Sequence, residues 1–286
     1  MPAKHIVLIC CLTMLSLPLS LAARADTAMR LKRPVSSASY TVSVPVVSTR
    51  AQAAASPSAL GSFIKQNFAT APALASTIGS AARTFGAINI NKLQDKDVVV
   101  IIDKSNSMST KDAPYGLSRW DWTGRQLHDL AGRLRLVPRS KLDLVLFDNK
   151  TTVYDDVTVA MIPQIFSRHT PSSGTNVTGA LKEQIDTYFN SGSERPMVIA
   201  VITDGAPSNS RSLKDLLVGT THKLNNPGQL KITFLQVGNE SQGDRLLPEL
   251  DNDLIRQGAM FDIVASKSFA SLSRDGLVRS LIESVD

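Results

Sequence analysis

Five consecutive β-branched residues, Val98-Val99-Val100-Ile101-Ile102, run straight into Asp103. A strand with no polar alternation must be covered on both faces, and that is the mark of a central strand in a parallel sheet. A second apolar run, Met197 to Ile202, repeats the pattern and ends in Thr203-Asp204. Between and beyond these runs the spacing turns helical. Helices are expected over Trp120 to Leu136, Val177 to Phe189, Leu213 to Leu224, Arg245 to Gln257 and Leu272 to Val285. Further strands are expected at Leu142 to Phe147, Thr151 to Val157, Ile232 to Val237 and Phe261 to Val264. Only Asp148-Asn149-Lys150 separates the second and third strands, so that pair reads as a hairpin and the third strand as antiparallel. Strands alternating with helices give an α/β fold, a mostly parallel sheet covered on both faces.

The chain has 286 residues, room for one domain with additional sequence or for two small domains. Hydrophobic residues make up 43%, enough for a sizeable core, but aromatics only 5%, so that core must be aliphatic. The formal charge is +6, and its Lys and Arg are scattered. No basic run reaches the length of a nucleic-acid patch, so a nucleic-acid partner is not expected.

Residues 1–25 have the design of a secretory signal peptide. Lys4 precedes an apolar stretch from Ile6 to Ala23, and Ala23-Arg24-Ala25 supplies a small-x-small cleavage site. An uncleaved anchor helix is the main alternative, which leaves membrane association open. Ile9 before Cys10 argues against a lipoprotein signal. Cleavage after Ala25 would remove both cysteines, Cys10 and Cys11, and leave a charge of +4, since Lys4 and Arg24 go with them. The expected location is the bacterial periplasm or the outside of the cell. Residues 26–94 read as a low-complexity linker rich in Ser, Ala, Thr and Pro. Within it, residues 58–86 carry enough apolar positions for one or two short helices broken at Pro72. These would pack on the main domain or meet a partner. Residues 95–286 form the folded domain.

Three polar clusters punctuate that domain: Asp103-Lys104-Ser105-Asn106-Ser107, Ser173-Gly174-Thr175-Asn176 and Thr203-Asp204-Gly205. The first and third end buried strands, and ligands of open α/β sheets bind beyond the carboxyl ends of strands. The second opens a helix on a loop able to reach them. Asp, Ser and Thr are also ordinary turn and cap residues, so each cluster alone has a plain structural explanation. Taken together, Asp103, Ser105, Ser107, Thr175 and Asp204 are hard oxygen donors without His or Cys. That set suits Mg²⁺, with Mn²⁺ and Ca²⁺ as alternatives, and not zinc or copper.

Asp103-x-Ser105-x-Ser107, followed by Met108 and joined by Thr175 and Asp204, resembles the metal-ion-dependent adhesion site of the von Willebrand factor type A (vWA) domain family. The resemblance covers about residues 95–286. It implies a Rossmann-like, three-layer α/β/α fold whose sheet has one antiparallel edge strand. It also implies that Ser105, Ser107 and Thr175 bind the cation directly, that Asp103 and Asp204 act directly or through water, and that an Asp or Glu of a protein partner completes the shell. The polar loop Ser109 to Arg119 should emerge on the same rim, either shaping partner choice or as a tolerated insertion.

No catalytic residue is expected. A phosphatase-like enzyme would want a second carboxylate two residues after Asp103, and Ser105 stands there instead. G-x-S-x-G, H-E-x-x-H and the phosphate-loop signature are absent. His128, His169 and His222 are isolated in sequence. The function expected is therefore an exported, metal-dependent protein-binding domain of the adhesion type. The alternatives are an assembly component contacting its complex through residues 26–94, and, more remotely, a metal-dependent hydrolase. Oligomeric state is not legible.

Overall fold

The structure, a computed structural model, describes residues 88–192, 195–205 and 209–285. The signal peptide and cleavage site expected within residues 1–25, most of the expected linker and the helices expected within 58–86 lie outside the described residues.

A six-stranded sheet is built from β1 (Asp97–Asp103), β2 (Lys141–Phe147), β3 (Thr151–Tyr154), β4 (Met197–Thr203), β5 (Leu230–Gln236) and β6 (Val264–Lys267). Its order is β3-β2-β1-β4-β5-β6. All neighbours are parallel except β2 and β3, which form the expected antiparallel edge. Six helices cover it: α1 (Arg119–Leu134), α2 (Ile162–Arg168), α3 (Val177–Asn190), α4 (Ser210–Thr221), α5 (Ser241–Asn252) and α6 (Phe269–Ser284).

The strand pleat divides the core in two. Val98, Val100 and Ile102 point to one face, where they pack with Leu127 and Leu130 of α1, Ile162 and Phe166 of α2, and Leu277 and Leu281 of α6. Val99 and Ile101 point to the other, among Leu181 and Ile185 of α3, Leu213 and Leu217 of α4, and Leu250 of α5. This makes three layers, α/β/α. Each fully buried aliphatic side chain contributes about 1.5–3 kcal/mol of hydrophobic free energy. Trp120 and Trp122 both lie in the first core, Trp120 against Phe166 with ring centroids 4.4 Å apart.

The structure departs from the sequence expectations at several elements: β3 ends at Tyr154 and not Val157, and α5 runs Ser241–Asn252 and not Arg245 to Gln257. Helix α2 was not expected: its seven residues are too few to display a period, although Ile162, Ile165 and Phe166 are all buried. Strand β6 begins at Val264 and not at Phe261, because its edge position tolerates the polar run Ser266-Lys267 that obscured it. A single 3₁₀ turn at Ile90–Leu93 buries Leu93 completely and sets Ile88 and Ile90 against the first core.

Strand order reverses at β1, whose two neighbours β2 and β4 are reached by crossovers in opposite directions. The carboxyl ends of β1 and β4 stand side by side, with Ile102 paired to Ile202. Asp103 and Thr203 follow on the next rung, which makes this edge the natural ligand position of the fold.

Candidate metal centre

Asp103 is the last residue of β1 and is fully buried. Both its oxygens accept hydrogen bonds. The Ser105 N–H donates to Oδ1 at 2.7 Å, and the Thr203 hydroxyl donates to Oδ2 at 2.9 Å. Burial pushes its carboxyl up to about 6, against the lowering effect of Ser105 and Thr203, and the nearby Asp204 charge adds to the rise. No Lys or Arg among the described residues forms an ion pair with it. A buried carboxylate with hydrogen bonds but no countercharge is costly to ionise.

After Asp103 the chain alternates. Lys104 donates its N–H to the Phe147 carbonyl at 2.7 Å, and its ammonium reaches Asp148 at 2.6 Å and Ser172 at 3.1 Å. Ser105 and Ser107 place their hydroxyl oxygens 2.9 Å apart. Ser107 sits in a 3₁₀ turn over Asn106–Ser109, which curls the loop back so that the two hydroxyls meet.

The loop carrying Thr175 is fastened to this one. Ser105 and Ser172 form a parallel bridge, and the Ser172 N–H donates to the Lys104 carbonyl at 2.7 Å. Ser172 also donates to Asp148 at 2.6 Å, and the Asn176 N–H donates to the Asp148 carbonyl at 2.9 Å. Gly174 takes φ +108°, where a Cβ would collide with the Asn149 side chain. Asn176 then caps α3 by accepting from the Gly179 N–H at 3.0 Å. Thr175 is half-buried one residue before that cap.

Asp204 is buried beyond β4, but its contact is an ion pair: Arg119 Nη1 donates to Asp204 Oδ2 at 2.9 Å. Arg119 is only 3% exposed and occupies the first position of α1. A cation at a helix N-terminus opposes the helix dipole, so burial there requires carboxylates. Three supply them. Asp112 takes the guanidinium in a two-pronged grip at 2.9 and 2.7 Å, and Glu240 accepts at 3.2 Å beside Asp204. The Asp112 bond holds Arg119 above its ordinary range and Arg119 in turn holds Asp112 below its own.

Of the five residues singled out in the sequence, the structure brings Asp103, Ser105 and Ser107 into one hydrogen-bonded group. It carries Thr175 on a loop bridged to that group, and it pairs Asp204 with Arg119. Thr203, Arg119, Asp112, Glu240 and the Lys104–Asp148–Ser172 cluster were not anticipated. For Arg119 a signal existed, a cationic residue directly after the helix-capping Ser118. Among the described residues no three His, Cys, Asp or Glu side chains gather as a metal-holding group. Any cation here would depend on the hydroxyls, and the buried, uncompensated Asp103 beside two adjoining hydroxyls is a donor set suited to a hard divalent ion.

No curated protein matches the chain. Among solved structures, the conserved hypothetical protein BatB from Bacteroides thetaiotaomicron is 15% identical, with a TM-score of 0.47; the match covers 65% of this chain and 97% of that one. Proximal thread matrix protein 1 from the mussel byssus is 17% identical with a TM-score of 0.43, over 68% of this chain and 46% of that one. A von Willebrand factor type A protein from Catenulispora acidiphila is 14% identical with a TM-score of 0.46, over 67% and 43%. The chain thus spans less than half the length of the last two. The sequence itself matches the von Willebrand factor type A domain family over residues 98–206, from the first core strand through both aspartates. Residues 98–206 of the folded part are thus similar to a von Willebrand factor type A domain.

Proposed function

We propose that this vWA domain is a divalent-cation-dependent protein-binding module, in which Asp103, Ser105, Ser107, Thr175 and Asp204 hold Mg²⁺ and a carboxylate of a protein partner completes its shell. The family points to protein-interaction and adhesion-type roles. The observation that carries the finer reading is the fully buried Asp103 carboxylate, without an ion-pair partner among the described residues, beside the paired Ser105 and Ser107 hydroxyls. A divalent cation would supply the charge that Asp103 lacks. It would also keep positive charge in excess at the rim, because Asp204 is already shared with Arg119. That excess is what an Asp or Glu of a partner would answer. His169, whose ionisation is lowered by burial and by the Lys104 charge, shares a hydrogen bond of 2.6 Å with the Tyr154 hydroxyl.

The leader at residues 1–25 belongs to this proposal: the module would act in the bacterial periplasm or outside the cell. Among the described residues no helix is long and apolar enough to cross a membrane.

The test is isothermal titration of the purified chain with Mn²⁺ and Mg²⁺, alone and with acetate as a minimal carboxylate probe. One cation site is expected, lost in Asp103→Ala and in Ser105→Ala, with acetate binding only when the cation is present. Cation binding that survives both substitutions would overturn the assignment.

A further inference from the structure

Arg119 joins three segments that are far apart in sequence. Asp112 belongs to the loop after the serines, Asp204 follows β4, and Glu240 precedes α5. The seat is shaped for it. Gly238 has φ +90°, and a Cβ there would lie 2.2 Å from Arg119 Cζ and 2.3 Å from Nε, so the guanidinium rests directly on glycine backbone. The same nitrogen, Nη1, serves both Asp204 and Glu240, while Nε and Nη2 each donate to Asp112. The group is one positive charge among three carboxylates, with Asp103 beyond Asp204 adding to the negative side.

We infer that Arg119 is a built-in cation of the rim, which occupies Asp204 and thereby weakens the hold of the neighbouring site on a divalent ion. The inference rests on the metal site proposed above. Asp204 Oδ2 cannot serve a guanidinium and a divalent ion equally, and a fixed positive charge beside a cation site opposes loading. Arg119 therefore makes the cation exchangeable. It also ties loading to the Asp112 loop, because any relaxation of the Arg119–Asp204 pair is felt at the two-pronged Asp112 contact. Arg119 acts through Asp204 and is a positioning residue, not a ligand.

The experiment measures Mn²⁺ affinity of the full chain for the wild type, Arg119→Gln and Arg119→Lys, with circular dichroism to confirm folding. Arg119→Gln is expected to bind Mn²⁺ about tenfold more tightly, since the opposing charge is gone. Arg119→Lys keeps the charge and is expected to stay close to wild type. Should Arg119→Gln misfold, Arg119→Gln combined with Asp112→Asn removes the charge together with one of its carboxylates, and is expected to bind more tightly than Asp112→Asn alone. Unchanged or weaker binding in the charge-removed variants, or equal tightening in Arg119→Lys, overturns the inference. If the wild type binds while Arg119→Gln gains nothing, only the role of Arg119 fails. If neither binds, the metal site fails with it.

Discussion

The Thr203 hydroxyl donates to Asp103 Oδ2 at 2.9 Å and links the ends of two adjacent central strands across 100 residues of sequence. Both side chains are buried, and Thr203 Oγ1 also lies within hydrogen-bond distance of the Gly205 carbonyl. Thr203→Val keeps the shape and removes the donor, leaving Asp103 Oδ2 unsatisfied in the core. Such a loss costs about 1–3 kcal/mol. Urea denaturation should show this loss at neutral pH, and Thr203→Ser should recover most of it. Equal stability of the Val variant and the wild type would mean that the bond contributes nothing.

Two glycines make opposite predictions. Gly238 combines a left-handed φ of +90° with a Cβ position already filled by Arg119, so Gly238→Ala is expected to cost more than the ~1–3 kcal/mol of backbone strain alone. Gly132 lies inside α1 with no atom near its Cβ position, so Gly132→Ala is expected to stabilise by about 0.5–1 kcal/mol. Thermal unfolding of the two single variants checks both signs.

Acid should loosen the loop behind the serines. Burial alone would raise the Asp148 carboxyl, but hydrogen bonds from Lys104, Ser172 and the Lys150 N–H together hold it well below the usual carboxylate range. Its folded value is lower than its unfolded value, so the pair's stabilisation is complete above about pH 4–5 and is lost as pH falls below about 4. Urea midpoints between about pH 2.5 and 6 should fall less steeply for Asp148→Asn than for the wild type. Asp112, held low by Arg119, acts in the same window, so a part of the slope should remain. A slope identical in both proteins would remove Asp148 from the account.

Which parts of this molecule were legible in its sequence follows from the range of the interactions involved. β1 and β4 announce themselves because burial on both faces demands an unbroken apolar run, and that demand is local. The serine loop is legible for the same reason, since Asp103, Ser105 and Ser107 contact one another within five residues. The partners of Arg119 are not, because two of them lie 85 and 121 residues further along the chain, and only the fold brings them together. Asp204 shows the limit from the other side. Its position beyond β4 was readable, but its partner was not, and the partner changes what the carboxylate is free to do. α2 and β6 were misread through shortness and edge exposure, which dilute the apolar period that sequence reading depends on.

The metal proposal also makes a stability prediction that needs no partner. A ligand that binds only the folded state adds RT ln(1 + [L]/Kd), about 2.7 kcal/mol at a hundredfold excess over Kd. Mg²⁺ or Mn²⁺ should therefore raise the unfolding temperature of the wild type at pH 7.5, and EDTA should reverse the rise. The gain should exceed that of a non-specific surface effect because the cation would compensate a buried carboxylate, Asp103, that no Lys or Arg among the described residues pairs with. Asp103→Ala removes both the donor and the uncompensated charge, so this variant should show no rise with either ion. A rise of equal size in Asp103→Ala would place the cation elsewhere on the molecule.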